Sequence, residues 1–441
     1  MSFSRVLRSS ASSVGVRHAS SLSEVFSSVP TGTPASLSSE VTVGKTTKGL
    51  GLASSSPAYA TTATLGVVFN TGSRHETAKD AGISLLASKM AFRATKDHSD
   101  LAVFRDIEAI GGSVSSRAGR DYVSWNITVA PEYVNDAAAI LAESLFAPRH
   151  ADWDINTQKE KVAVDEELFH ANAVELLVQG VHAAAFYDNR TLGRSIYAKD
   201  NLSKLNSKHL EAFYAHNATA SNLVLVGRNI AQASLIDVAN TYFADIAAGQ
   251  VTATTPAAYV GGEHRTAASS SHAYVAVGFS AGGALVGKDL HTAHVLEHLL
   301  TQRSGPFSTG FAANYADASL VGLSGVAKAG DASALTFALL KDIQSLASQS
   351  VAAAELEGAK KSSGLGYSSW VESKDGSLTQ LARSAKTQKA ITERDVQQGL
   401  AAVTAADVQA LAKKLVASKP LLASVGNVAA VPRYDDIVKK L

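Results

Sequence analysis

Hydrophobic positions in this chain alternate between two spacings, and each spacing marks a different element. Thr61 to Asn70 is β-branched and apolar and predicts a strand, ended by a turn at Thr71-Gly72-Ser73-Arg74. From Gly82 to Thr95, Ile83, Leu86, Ala87 and Met90 recur at helical spacing, so a helix buried by one face is expected. A second helix runs from Leu101 to Ile110, and Gly111-Gly112 suit its C-terminal cap. Arg120 to Val129 reads as a strand packed through Tyr122, Trp125 and Ile127. Pro131 to Phe146 carries Val134, Ala138, Leu141 and Leu145 on one helical side, and Pro148 ends it. Residues 155–187 predict one long helical region, acidic at Asp165-Glu166-Glu167 and apolar at Leu176, Val178 and Val181. Ser207 is the expected cap of a helix bearing Leu210, Phe213 and Tyr214. Asn222 to Val226 is a strand ending at Gly227, and Ala231 to Ile246 a helix.

The order then repeats. Tyr274 to Phe279 is a strand, Ala281-Gly282-Gly283 a turn, and His291 to Leu300 a helix in the place of the first one. Ser319 to Val326 is a strand, Ser333 to Leu346 an amphipathic helix, and 352–386 the second long helical stretch. Thr404 to Val416 is a helix, and Leu421 to Val425 the closing strand before Gly426. A repeat of about 200 residues is too long for a solenoid unit. It predicts two homologous α+β domains, 61–246 and 267–441. The small, polar, Pro-containing stretch at 247–266 reads as the linker between them, and residues 20–60 as an extended lead-in with little packing.

Composition narrows the possibilities. The 441 residues suffice for several cores. Forty basic residues against 39 acidic ones give a net charge of +1, which argues against nucleic-acid binding. No apolar run approaches the roughly 18–20 residues of a membrane span. With no Cys there is no disulfide, no thiolate metal site and no thiol nucleophile. Residues 1–19 hold Arg5, Arg8 and Arg17 among many Ser, and the first acid is Glu24. Phe3, Val6, Leu7 and Val14 fall near one helical face. This is the make-up of a mitochondrial transit peptide, with Arg17 to Ser20 a plausible cleavage region.

Gly72-Ser73-Arg74, Glu76, Gly82, Met90 to Thr95, Gly111-Gly112, Arg120 and Pro148, in this order, resemble the pitrilysin-type zinc peptidase family. The resemblance covers nearly everything after residue 60. It implies two peptidase-like domains facing across a cavity. The family includes the two subunits of the mitochondrial processing peptidase and the two core proteins of ubiquinol–cytochrome c reductase, respiratory complex III. Val181 to Tyr187, Phe311 to Gly322 and the ending Ala423 to Val428, with Pro432 and Asp435-Asp436, resemble the core-protein-2 branch. That branch implies a structural subunit on the matrix side of the inner mitochondrial membrane, peripheral to it. Its implied partners are core protein 1 and the other subunits of a dimeric complex, with no cofactor of its own. The non-catalytic processing subunit resembles a scaffold with a long Gly-rich loop, whereas Thr301 to Gly310 here is short and has two Gly.

Catalytic members of the family carry His-x-x-Glu-His on the first helix. The two His, four apart, bind zinc and the Glu activates water. Leu85, Ser88 and Lys89 stand at those positions. Leu has no lone pair, Lys adds a positive charge, and Ser is too weak a base. Glu166 or Glu167 falls where the family's third ligand lies. Without His opposite, both acids read as a solvated face. The second half has a formal match, His294-Val-Leu-Glu297-His298, but its third-ligand stretch, Lys361 to Tyr367, holds no acid. Glu372 and Asp375 lie one to two turns further on. His294 and His298 therefore read as surface or hydrogen-bonded residues, with His291 off the motif. His182, among alanines, reads as a packed histidine, and Arg93 and Lys96 as isolated charges of little weight. No residue is assigned a catalytic, cofactor-binding or metal-binding role.

Overall fold

The computed structural model describes residues 40–56, 61–187 and 191–441. The expected transit peptide and residues 20–39 lie outside the described residues. The first half runs β1 (Glu40–Lys45), β2 (Gly51–Ser56), β3 (Ala63–Phe69), α1 (Ile83–Lys89), α2 (Asp100–Ala109), β4 (Ser113–Ala118) and β5 (Val123–Val129). It continues α3 (Val134–Phe146), α4 (Asp152–Ala171), α5 (Ala173–Phe186), α6 (Lys199–Leu202), α7 (Ser207–Asn217), β6 (Leu223–Arg228) and α8 (Gln232–Tyr242). The second half opens β7 (Gly262–Ala267), β8 (His272–Ser280), α9 (Lys288–Arg303), β9 (Ser308–Asn314), β10 (Ser319–Lys328), α10 (Ala332–Ser348) and α11 (Ala353–Glu372). It closes α12 (Lys374–Thr387), α13 (Glu393–Ala401), α14 (Ala405–Val416), β11 (Leu421–Gly426) and α15 (Tyr434–Val438).

The strands form two sheets, β1-β2-β6-β3-β5-β4 and β7-β11-β8-β10-β9. Each has one parallel pair, β2 with β6 and β7 with β11, in otherwise antiparallel surroundings. The second sheet repeats the first without β1, so the fold is α+β with two homologous halves. The helix pairs repeat as closely. A 20-residue helix is followed by a 14-residue helix in both halves, α4–α5 and α11–α12.

Five expectations need correction. Residues 40–56 are not a loose lead-in. They are β1 and β2, with Leu50, Leu52 and Ala53 buried. At the other boundary, Gly262–Ala267 of the expected linker is β7. The long helical stretches also break: Asn172 Oδ1 accepts from the N–H groups of Val174 and Glu175 and restarts the chain as α5, and Ser373 does the same before α12. Likewise Asn206, not Ser207, caps α7. Helix α1 stops at Lys89, because Phe92 takes a positive φ of 55° and turns its ring into the core beside Trp125.

The halves do not simply face one another across a cavity. Helix α5 leaves its own half and covers the second sheet, where Leu177, Val181 and Ala185 pack with Ala276, Leu320, Leu421 and Ala423. Helix α12 returns the exchange. Its Leu378, Leu381 and Ala385 pack with Ala53, Val68, Val224 and Val226 of the first sheet. The central strands of each sheet are thereby buried on both faces, which explains why β3 and β6 read as continuous apolar runs rather than alternating ones. A buried Leu or Val of this kind contributes about 1.5–3 kcal/mol.

Candidate functional site

In the first half the place of the metal motif is the face of α1 that lies on α4. Helix α1 is held at its start by Glu76, whose carboxylate accepts from the N–H groups of Gly82 at 2.8 Å and Ser84 at 2.9 Å. Burial pushes the Glu76 carboxyl up to about 7, against those two hydrogen bonds. Leu85 is buried in the core. Ser88 is also buried, and its hydroxyl donates to the Leu85 carbonyl at 2.7 Å. Lys89 reaches across to α4, where its Nζ lies 2.5 Å from Asp165 Oδ2. Glu166 is not on a solvated face as expected: it is buried, 3.8 Å from His170 Nε2, while Glu167 is exposed. An ammonium group therefore bridges the two helices where the family motif has an imidazole ligand. The residues present do not fit a zinc ion, since one donor position is a hydrocarbon and another a cation.

The second half departs in the opposite way. On α9, His294 Nδ1 lies 3.7 Å from Glu297 Oε2, and His298 Nδ1 is 3.0 Å from Ser362 Oγ of α11. The His298 ring lies against Gly366. Gly366 and Tyr367 hold the positions on α11 that Asp165 and Glu166 hold on α4, so the carboxylates are missing where the imidazoles are present. Burial lowers the pKa of His298 and of His291, which packs on Gly399. Asp375 is turned away, 3.9 Å from Arg117 of β4, and Glu372 is exposed. Among the described residues, no group of three or more His, Cys, Asp or Glu is placed to hold a metal ion. Arg93 pairs with Asp100 at 3.2 Å and lies over the Phe104 ring.

What sequence reasoning missed is a buried polar cluster between the halves. Arg74 is almost wholly buried and makes two ion pairs, at 2.9 Å to Asp121 of its own half and at 2.7 Å to Asp317 of the other. Its Nη2 also donates to the Thr255 carbonyl. Burial tends to raise the Asp317 pKa, but the Arg74 guanidinium and the Ala257 N–H outweigh it and hold the carboxyl below its ordinary value. His182 is indeed packed and hydrogen-bonded. Its Nδ1 donates to the Val178 carbonyl at 2.7 Å, which leaves Nε2 as acceptor for the Tyr315 hydroxyl at 2.6 Å. Burial, then the nearby Arg120 charge, lowers the His182 pKa to about 3. The residues stood in stretches the sequence had singled out, above all the Gly72-Ser73-Arg74 turn, where a Cβ on Gly72 would meet the Arg120 carbonyl at 2.4 Å, but nothing in the sequence joined them.

Residues 52–200 match the family described as Insulinase (Peptidase family M16). That match lies within the first half of the chain. It is similar to the mitochondrial-processing peptidase subunit alpha of Solanum tuberosum, 27% identical over 406 residues, covering 85% of this chain and 80% of that protein. It is equally similar to cytochrome b-c1 complex subunit 2 of Rattus norvegicus, 27% identical over 407 residues, covering 86% and 88%. The human subunit 2 is 24% identical over 402 residues, with 86% and 88% covered. The likeness to these relatives extends through both halves, beyond the residues of the family match.

Proposed function

We propose that this chain is a non-catalytic structural subunit of a mitochondrial cytochrome b-c1 type complex, in the role of core protein 2. It sits peripherally on the matrix side of the inner membrane beside a core protein 1 partner. It holds no cofactor and performs no peptide cleavage. The observation that carries this reading is the Lys89–Asp165 ion pair in the place of the zinc ligands. A peripheral placement agrees with the described helices, none of which is long and apolar enough to cross a membrane. A permanent partner agrees with Trp153, Val164, Leu168, Val174 and Val178, large apolar side chains of α4 and α5 that face solvent.

A second reading, the alpha subunit of a zinc-dependent processing peptidase, is favoured by the equal likeness to the Solanum tuberosum protein. Against it stands the segment from Thr301 to Gly310. It is used up by the end of α9, a short turn and the start of β9, leaving no long loop to handle presequences. Purification of the tagged full-length chain from its own mitochondria in mild detergent separates the two. Co-purifying haem proteins are expected. Co-purification of a zinc-binding His-x-x-Glu-His subunit with presequence-cleaving activity would overturn the structural reading.

A further inference from the structure

The second-half members of the buried cluster come from a single turn, Tyr315-Ala316-Asp317, between β9 and β10. Their first-half partners come from three separate places: Arg74 in the turn after β3, which Asp121 also holds, Arg120 between β4 and β5, whose guanidinium donates to the Tyr315 hydroxyl, and His182 on α5. Both Arg74 terminal nitrogens are engaged across the boundary, Nη1 to Asp317 Oδ1 at 3.0 Å and Nη2 to Oδ2 at 2.7 Å. This is the two-pronged geometry that fixes direction as well as distance. The Arg74 turn is itself pinned, since Ser73 and Arg74 N–H groups donate to the Gly119 and Arg120 carbonyls at 3.2 Å. Two residues beyond Arg74, Glu76 holds the start of α1 through Gly82 and Ser84.

We propose that the Tyr315-Ala316-Asp317 turn is a latch that fixes the angle between the halves and ties the β9–β10 hairpin to helix α1. The exchanged helices α5 and α12 alone do not set this angle. Their packing on the opposite sheets is mainly apolar, with one long, exposed ion pair from Asp375 to Arg117, and apolar contacts are non-directional and tolerate small slides. Directional bonds from one turn to three anchor points do not. The latch is independent of which assembly the chain serves. A contiguous run of contacts becomes a coupling only if a change at one end alters the other, so the test must read α1 as well as the boundary.

The chain has no Cys, so labels can be placed without background. Spin labels attached through Glu108→Cys on α2 and Lys341→Cys on α10, both exposed positions, report the distance between halves by pulsed electron resonance. The unaltered latch is expected to give one narrow distribution. Asp317→Asn and Tyr315→Phe change almost no volume, and each, alone and together, is expected to broaden and shift that distribution. The same variants are expected to lose hydrogen-exchange protection over Ile83–Lys89, with far-UV circular dichroism unchanged. An unshifted distance with unchanged α1 protection in the folded double variant overturns the latch. So does a double variant that unfolds at lower denaturant with no prior change in distance, since the turn would then add stability without setting geometry.

Discussion

Helix α1 of the first half and α9 of the second take the same place beneath their sheets, and each lies on the longer helix, α4 or α11, that follows it in the repeat. Their side chains differ in a complementary way. Helix α4 supplies a buried Glu166, but α1 offers Leu85, Ser88 and Lys89. Helix α9 offers His294, Glu297 and His298, but α11 supplies Gly366 and Tyr367. A zinc site draws donors from both helices at once, and each half presents only one side of such a set. The fold itself rests on the exchanged helices and the apolar sheets between them.

If the halves are equal partners in that exchange, breaking either side should cost about the same. Val181→Asp on α5 and Leu381→Asp on α12 each bury an unpaired carboxylate against the opposite sheet. Each is expected to lower stability by more than about 4 kcal/mol, measured by urea unfolding. A large cost for one and a small cost for the other would show that one half folds alone and the exchange is not reciprocal.

The first half also carries a pH signature through Glu76. Its carboxyl is raised from 4.5 to about 7, so the folded state holds the proton more tightly than the unfolded chain. That contribution is fully present below about pH 4.5 and is lost as pH rises through about 7, a change of order 3 kcal/mol. Glu76→Gln is expected to flatten this decline between pH 5 and 8. His182 acts in the opposite window. Lowered from 6.5 to about 3, it favours the fold above about pH 6.5, and that advantage is lost as pH falls toward 3. The acid arm should therefore survive in Glu76→Gln, as measured by urea midpoints across pH.

The complementary deficits can be repaired separately. In the first half, Leu85→His, Ser88→Glu and Lys89→His together would face the existing Glu166 with the missing donors. In the second half, Tyr367→Glu would add the missing acid opposite His294 and His298. Both variants are expected to bind one zinc per chain by elemental analysis after dialysis. Each should gain about 2.7 kcal/mol of stability at a hundredfold excess of zinc over its Kd. Lys89→Met alone is expected to cost no more than about 1 kcal/mol, because its ion pair is a third exposed. If only the first-half repair binds zinc, the backbones of the two helix pairs are not equivalent.

Much of the fold was legible residue by residue. Strands β3, β6, β8 and β11 are central, covered on both faces, and announce themselves as unbroken apolar runs. Edge strand β4, Ser-Val-Ser-Ser-Arg-Ala, has one neighbour and little to bury, so it left no such trace. The breaks at Asn172 and Ser373 were hidden because the apolar pattern continues across them and only a cap marks the restart. The two incomplete metal motifs were readable because they are local, three or four residues on one helix.

The sequence by itself determined the two-fold repeat, the central strands, and the side chains that stand at the motif positions of α1, each of which is marked by residues close in the chain. Only the tertiary structure decided that Lys89 is paired with Asp165, that Glu166 is buried, and that Arg74 joins Asp121 to Asp317. Those partners lie tens to hundreds of positions apart, and a charge on a helix carries no mark of which distant carboxylate the folded chain will bring to it.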